Sequence, residues 1–594
     1  MTKKITCLPE EVITMILKDK RVSIEDVVNF QTTCRKYHHI QLNNKFWEKK
    51  YYQRCPTAKK KYNKEKQEKI FNDFKIDFKE EIKLSLEYII KIKQLQHMIT
   101  VMFENNLSDS AIKILRSQLN FSLEHYLCTI AKNSMLYYFV VDELNRIISA
   151  KQLWESSCNL TSIYDLGIFF RRLKQHRVMY KTDKYMNMPK EKQLFERLFT
   201  IAIQYFQPHV SYSAIKTWLD EIAKEVLSRL KNIYPAHSIF STPDDQFFIW
   251  RDNKIDDNYW NETEARQIMN VLEEFVFLDL KDHKLLKFDI EDKYIDFISE
   301  FVKKYLFSPV IYDNVARRLG IRCVLRRKGW LWEDVVITWK PKYDTVDMHN
   351  VEYFYIDEDS SQNYPLNIIR GRRDDIHHYP ICFPSIIEWI FRTIFIDKLL
   401  KINITSYEWE ISILKRLFSG ERDITIKPMT LRFDMLKEKQ PKVRTHEVKY
   451  AIGMIVKHSA KYYFNRHQHS PTERYNNHVG VIIGWHFKCK SMFMKESLCT
   501  IVPHWDKNND VHICKHKKGS NLYNEPHYLI LTEKAKICYL PQRFISRCPP
   551  KWIDNFEIGR YFCRFEGTHY VPNEWLARIY SKDYAAVLES VSLE

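Results

Sequence analysis

The chain has 594 residues, 45% of them hydrophobic and 14% aromatic, and a net charge of +18. That length suits roughly three to five domains with real cores, and disorder is excluded as the dominant state. Glycine is scarce at 11 residues, and no G-x-G-x-x-G, G-x-x-x-x-G-K-S/T or H-E-x-x-H occurs, so glycine loops that cradle phosphates are not its main business. Thirteen cysteines lie scattered without C-x-x-C pairs behind an amino end with no signal-peptide apolar region. Reduced thiols in a cytoplasmic or nuclear compartment follow from that usage. The positive excess is compatible with nucleic acid or an acidic partner, although lysine-rich solvated helices such as AKKKYNKEKQEK produce the same sum.

The first predicted element is LPEEVITMIL. Pro9 suits the first helical position, where a missing N–H costs nothing, and Glu10 and Glu11 suit the positive end of the dipole. Val12, Ile13, Ile16 and Leu17 form one apolar face on a helix too short to stand alone, so something must cover it. Ile24, Val27, Val28 and Phe30 follow, then Cys34-Arg35 with Tyr37 and Ile40, then Phe46-Trp47. This series resembles an F-box. The resemblance implies a helical hook, residues 1–55, that docks on the Skp-type adaptor of a cullin–RING ubiquitin ligase. Leu8, Pro9, Val12, Ile13, Ile16, Leu17, Cys34 and Trp47 are then the expected adaptor contacts.

A helical connector is expected over 56–185. Within 190–365 the pattern reads as α+β. SAIKTWLDEIAKEVLSRL is an amphipathic helix on Ile215, Leu219, Ile222, Val226 and Leu230, and YIDFISEFVKKYL suggests another. Gly320 suits the left-handed cap of a helix ending in Arg317 and Arg318. VLRRKGWLWEDVVITW and VEYFYIDED read as strands. KTWLDEIAKEVLSRL, MNVLEEFVF, SPVIYDNVARRLGIRC and YFYID resemble the transglutaminase-like SirB family. A site of that type needs a Cys at a helix start, a His base and an Asp or Asn orienter. Here Ser308 stands at the helix start, Trp330 where the His belongs, and only Asp357 remains; Cys323 sits at the unfavourable end of the helix dipole. The expectation is a pseudoenzyme with no catalytic residue and no cofactor.

Residues 366–440 are expected to be a helical linker. Its stretch ICFPSIIEWIFRTIFIDKLL carries Glu388, Arg392 and Asp397, which favours a buried amphipathic helix over a membrane span. From 446 to 547, KYAIGMIVKH, HVGVIIGWHF, HYLILTE and AKICYLPQRFI are short strands suited to a small antiparallel barrel or sandwich, with Gly480 and Gly484 marking a bend or bulge. Ile452, Gly453, Val456, Lys457 and His458, with GVIIGW, resemble the YccV, or hemimethylated-DNA-binding-like, family of small barrels. Lys457, His458, Trp485 and His486 then mark a possible ligand site, with His486 where that family usually has an acidic residue. The tail 548–594 is expected to hold a hairpin about Glu566-Gly567.

His504, His512, Cys514 and His516 invite a metal reading, but three ligands along one strand face span about 13 Å, too far for one zinc, so no metal site is expected. Residues 446–547 carry 16 Lys and Arg against 7 Asp and Glu, half the net charge. With Tyr462, Tyr463, Phe464 and Trp485 they form the alternative reading, a DNA-binding surface. The order of the modules resembles the animal F-box only protein 21 group. It implies an α+β multidomain receptor: an all-α F-box, an α-rich middle with a transglutaminase-like module, and a C-terminal antiparallel β-barrel. The implied partners are the Skp-type adaptor with its cullin–RING complex and a target protein, with no membrane.

Overall fold

The computed structural model describes residues 8–33, 42–56, 76–104, 122–148, 159–206, 210–280, 283, 308–328, 335–343, 352–356, 368–372, 378–380, 441–459, 477–490, 504–505, 511–512, 524–533, 537–555 and 557–592. The fold is mixed α+β and divides into two compact units. The first holds residues 1–77, 174–397 and 409–424, and the second 78–173, 398–408 and 425–594. The expected helices over 294–306 and 381–400 lie outside the described residues. No described helix is long and apolar enough to cross a membrane.

In the first unit three short helices open the chain: α1 (Glu10–Lys18), α2 (Ile24–Thr33) and α3 (Asn44–Arg54). Each start has a local cause. Pro9 precedes α1 with Glu10 and Glu11 in its first turn. Ser23 and Asp26 cap α2 reciprocally, each side chain accepting from the other's backbone N–H at 2.9–3.0 Å. Asn43 Oδ1 accepts from Phe46 N at 2.9 Å to start α3.

Further along come α4 (Phe195–Phe206), α5 (Tyr212–Ile233), α6 (Asp244–Asp252), α7 (Glu262–Glu273) and α8 (Ser308–Arg318). The expected stripe of α5 is buried, with Trp218 and Ala223 added to it. Gly320 ends α8 at φ +76, as expected, and a second cause applies: a Cβ there would stand 2.9 Å from Trp260 Nε1. An antiparallel sheet follows, β1 (Val324–Lys328), β2 (Val335–Trp339), β3 (Glu352–Ile356), β4 (Ile368–Arg372) and β5 (His378–Pro380), ordered β4-β3-β2-β1-β5. Two of these strands fall at 368–372 and 378–380, where a helical linker was expected.

The second unit is built on β6 (Ile455–Ser459), β7 (Asn477–His486), β10 (His527–Thr532), β11 (Ile537–Pro541) and β12 (Ile545–Arg547), ordered β11-β10-β7-β6-β12, all antiparallel. Between β7 and β10 a two-residue ribbon pairs β8 (His504–Trp505) with β9 (Val511–His512). The expected barrel is corrected here. Among the described residues β11 and β12 are both edges, so the ladder does not close. The bulge expected near Gly484 is present: Leu529 faces Gly484, but Ile530 faces Ile482, which leaves Ile483 as the extra residue.

Two expected boundaries also fall. The connector helix Leu160–Met186 sends its first residues into the sheet's core, where Leu160 is buried and Thr161 Oγ1 donates to Phe562 O at 3.1 Å. The tail belongs to the same core. Its hairpin β13 (Phe562–Phe565) with β14 (Tyr570–Pro572) turns at Gly567, φ +81, and Tyr570, Leu576, Tyr580 and Val587 are buried against the sheet. A five-stranded sheet without these segments would leave one apolar face in water.

Candidate functional site

Within the three-helix hook, Ile13 and Leu17 turn inward and are buried, as are Ile24, Val27, Phe46, Trp47 and Tyr51. Lys50 Nζ ties the corner between α1 and α2 by donating to Asp19 O and Val22 O, both at 2.7 Å, and burial lowers its pKa. Arg54 reaches Glu25 at 3.0 Å. Among the described residues, one stripe of α1 nevertheless stays exposed. Val12 is 38%, Met15 70% and Ile16 44% exposed, at positions i, i+3 and i+4 on one helical face. Of the expected adaptor contacts, Val12, Ile16 and Pro9 are exposed and Leu8 half-buried. Ile13, Leu17 and Trp47 are core, and Cys34 lies outside the described residues. Met15 was not singled out, although its three-residue step from Val12 was there to read.

At the start of α8, Ser308 is fully buried. Cys323 follows the Gly320 turn, and burial pushes its thiol well above the ordinary range. Ser308 rather than a cysteine thus stands at the start of α8, and Cys323 is not held as a thiolate. Trp330 and Asp357 lie outside the described residues.

In the C-terminal sheet, Lys457, His458, Trp485 and His486 do not form one surface. Lys457 is exposed, whereas His458, next along the strand, is buried. Trp485 is core, and its Nε1 donates to Asp583 Oδ2 at 2.9 Å; the same oxygen accepts from Ile452 N at 3.0 Å and faces Arg444 at 3.3 Å. Lys442 Nζ donates to Trp485 O at 2.7 Å, and burial lowers its pKa to about 8. Lys442 and Asp583 sit 43 and 98 residues from Trp485, and local pattern reading missed both.

His486 is buried with Nδ1 3.1 Å from the Tyr539 hydroxyl, and burial first, then Lys442 and His527, lowers its pKa to about 3. A histidine that is neutral when folded but titrates near 6.5 when unfolded favours unfolding in acid. Stability is therefore expected to fall as pH drops from about 6.5 towards 3, by up to about 1.4 kcal/mol per pH unit from this residue. Urea unfolding of the wild type and His486→Gln at pH 7 and pH 5 checks this: the variant loses less between the two. Equal losses would show that another group sets the slope.

His504 and His512 face each other across β8 and β9, while Cys514 and His516 lie outside the described residues. Among the described residues no group of three or more His, Cys, Asp or Glu side chains is placed to hold a metal ion.

A family model described as "Hemimethylated DNA-binding protein YccV like" matches residues 448–569, which takes in the sheet and β13 and ends just before β14. Proteins named "F-box only protein 21" from Pongo abelii, Homo sapiens and Mus musculus are each 30% identical to this chain over 146 residues. Those residues are 24% of this chain and 19%, 18% and 18% of the three relatives. The match thus spans about a fifth of the length of each relative. No solved structure matches.

Proposed function

We propose that the chain is a substrate receptor of a cullin–RING ubiquitin ligase, holding a Skp-type adaptor through α1 and a target protein through the downstream units. The observation that carries this reading is the exposed apolar stripe Val12, Met15 and Ile16 on a helix whose other apolar side chains, Ile13 and Leu17, are buried. The likeness to proteins named F-box only protein 21 supports it. The mechanism is proximity. A target lysine tethered beside a charged ubiquitin carrier reacts at a raised effective concentration, with no catalytic group supplied by the receptor. In line with that, Ser308 and Cys323 offer no activated nucleophile.

The test is co-purification. The intact chain is expected to retain the adaptor and a chain lacking residues 1–55 to lose it; equal recovery by both defeats the reading.

A second reading rests on the YccV-like match and the basic sheet, where Lys449, Lys457, Lys488, Lys490, Arg543 and Arg547 are exposed. Trp485, Tyr528 and Tyr539 are buried and offer no base-stacking platform, and Tyr462, Tyr463 and Phe464 lie outside the described residues. Duplex DNA held by contacts from these cations to its phosphates would show an affinity that falls steeply with salt.

A further inference from the structure

A cavity of about 310 Å³ opens in the first unit between α4, the segment after α6, the last turns of α8 and the start of β1. Leu194, Phe195, Ile321 and Leu325 give it apolar walls, and Asp313, Lys254 and Cys323 also line it. That volume is at the small end for ligand pockets, suited to one side chain and its flanking peptide groups.

Most of its polar groups are committed elsewhere. The Arg317 guanidinium donates to Glu196 Oε2 at 2.8 Å, to Arg251 O at 2.7 Å and to Trp250 O. Arg322 donates to Asp256 O and lies 4.2 Å from the Tyr343 ring centroid. Gln193 Nε2 donates to Met186 O and Met188 O. The Asp313 carboxyl and the Lys254 ammonium differ: among the described residues neither side chain has a hydrogen bond or ion-pair partner. Lys254 is exposed at the mouth, where water serves it. Asp313 lies in the wall, and burial pushes its carboxyl up to about 7, against the pull of Arg317 and Lys254.

We propose that this cavity binds a primary ammonium group on an aliphatic stem, presented by a target polypeptide as a lysine side chain or as its amino terminus. Resting on the receptor reading, this makes the cavity a target-capture site. An ammonium gives Asp313 the hydrogen-bond donors that no described side chain supplies, and adds a charge in direct contact to the more distant pull of Arg317 and Lys254. A neutral alkyl group would cover the half-buried carboxyl and give it no donor. The stem packs on Leu194, Phe195, Ile321 and Leu325, and Lys254 at the mouth meets the ligand's peptide carbonyl.

The test is calorimetric titration of the full chain with four probes. Nα-acetyl-lysine methylamide carries only a side-chain ammonium, and leucine methylamide only a terminal one. Nα,Nε-diacetyl-lysine methylamide is the neutral control and hexanoate the anionic one. At least one ammonium probe is expected to bind about tenfold or more tightly than either control, and Asp313→Asn to remove that preference. The better ammonium probe identifies the source. Equal binding of a control, an unchanged Asp313→Asn, or no saturation by either ammonium probe overturns the proposal. Adaptor recovery from the same preparations separates failure of the cavity from failure of the receptor reading.

Discussion

Replacing Val12 and Ile16 together with aspartate is expected to abolish recovery of the Skp-type adaptor while leaving the fold intact. Both side chains are exposed, at 38% and 44%, so polar replacements cost the hook far less than changes at its buried positions. Surface changes of that kind stay within about 0.5 kcal/mol of stability. In an adaptor interface the same positions would be desolvated anchors. Burying a carboxylate there costs more than truncation, and each loss is about 2 kcal/mol or more, roughly thirtyfold in affinity. Met15→Asp, at the most exposed position, is expected to behave alike. Ile13→Ala and Leu17→Ala provide the contrast. Both side chains are buried, so these changes cost about 2–5 kcal/mol of hook stability and weaken adaptor capture only through unfolding. Thermal unfolding measured beside adaptor pull-down distinguishes the two classes. Full adaptor recovery by the folded Val12→Asp/Ile16→Asp chain would remove the stripe from the interface.

Local features of this molecule were legible in its sequence. The dipole-matched start of α1, the buried stripe of α5, the left-handed Gly320 and the hairpin at Gly567 each depend on residues within a turn or two of one another. Contacts between distant segments were not legible. Nothing local to the tail announces that Asp583 collects the Trp485 and Ile452 N–H groups, or that Leu160 shares a core with Ile482. Strand spacing marked four runs in the C-terminal sheet, but not that the fourth, AKICYLPQRFI, runs from β11 into β12, nor whether the sheet's edges meet. At the amino end the pattern marked an apolar helix face, but it could not divide that face into a half that closes the hook and a half that stays open. Only the folded hook makes that division, with Ile13 and Leu17 buried and Val12, Met15 and Ile16 exposed.

The resemblance that drew attention to Gly453 leads to the most severe expected substitution. Gly453 has φ +90, and an added Cβ would stand 2.1 Å from the carbonyl oxygen of Tyr570, a backbone atom that cannot swing aside. Two hydrogen bonds of 3.0 Å hold the residue in place, from its own N–H to Ile482 O and from Tyr570 N to its carbonyl. This glycine is therefore where the hairpin β13–β14 is fastened to the sheet. Gly453→Ala is expected to cost about 3–5 kcal/mol: about 1–2 from the left-handed backbone and the rest from parting the two chains. Gly567→Ala isolates the first contribution. Its φ of +81 is nearly the same, but nothing lies within 4 Å of the added methyl, so about 1–2 kcal/mol is expected. Chemical unfolding of the two variants side by side measures the difference. Equal destabilisation would mean that backbone conformation alone is at stake, and that the approach of Tyr570 to Gly453 does not fasten the hairpin to the sheet.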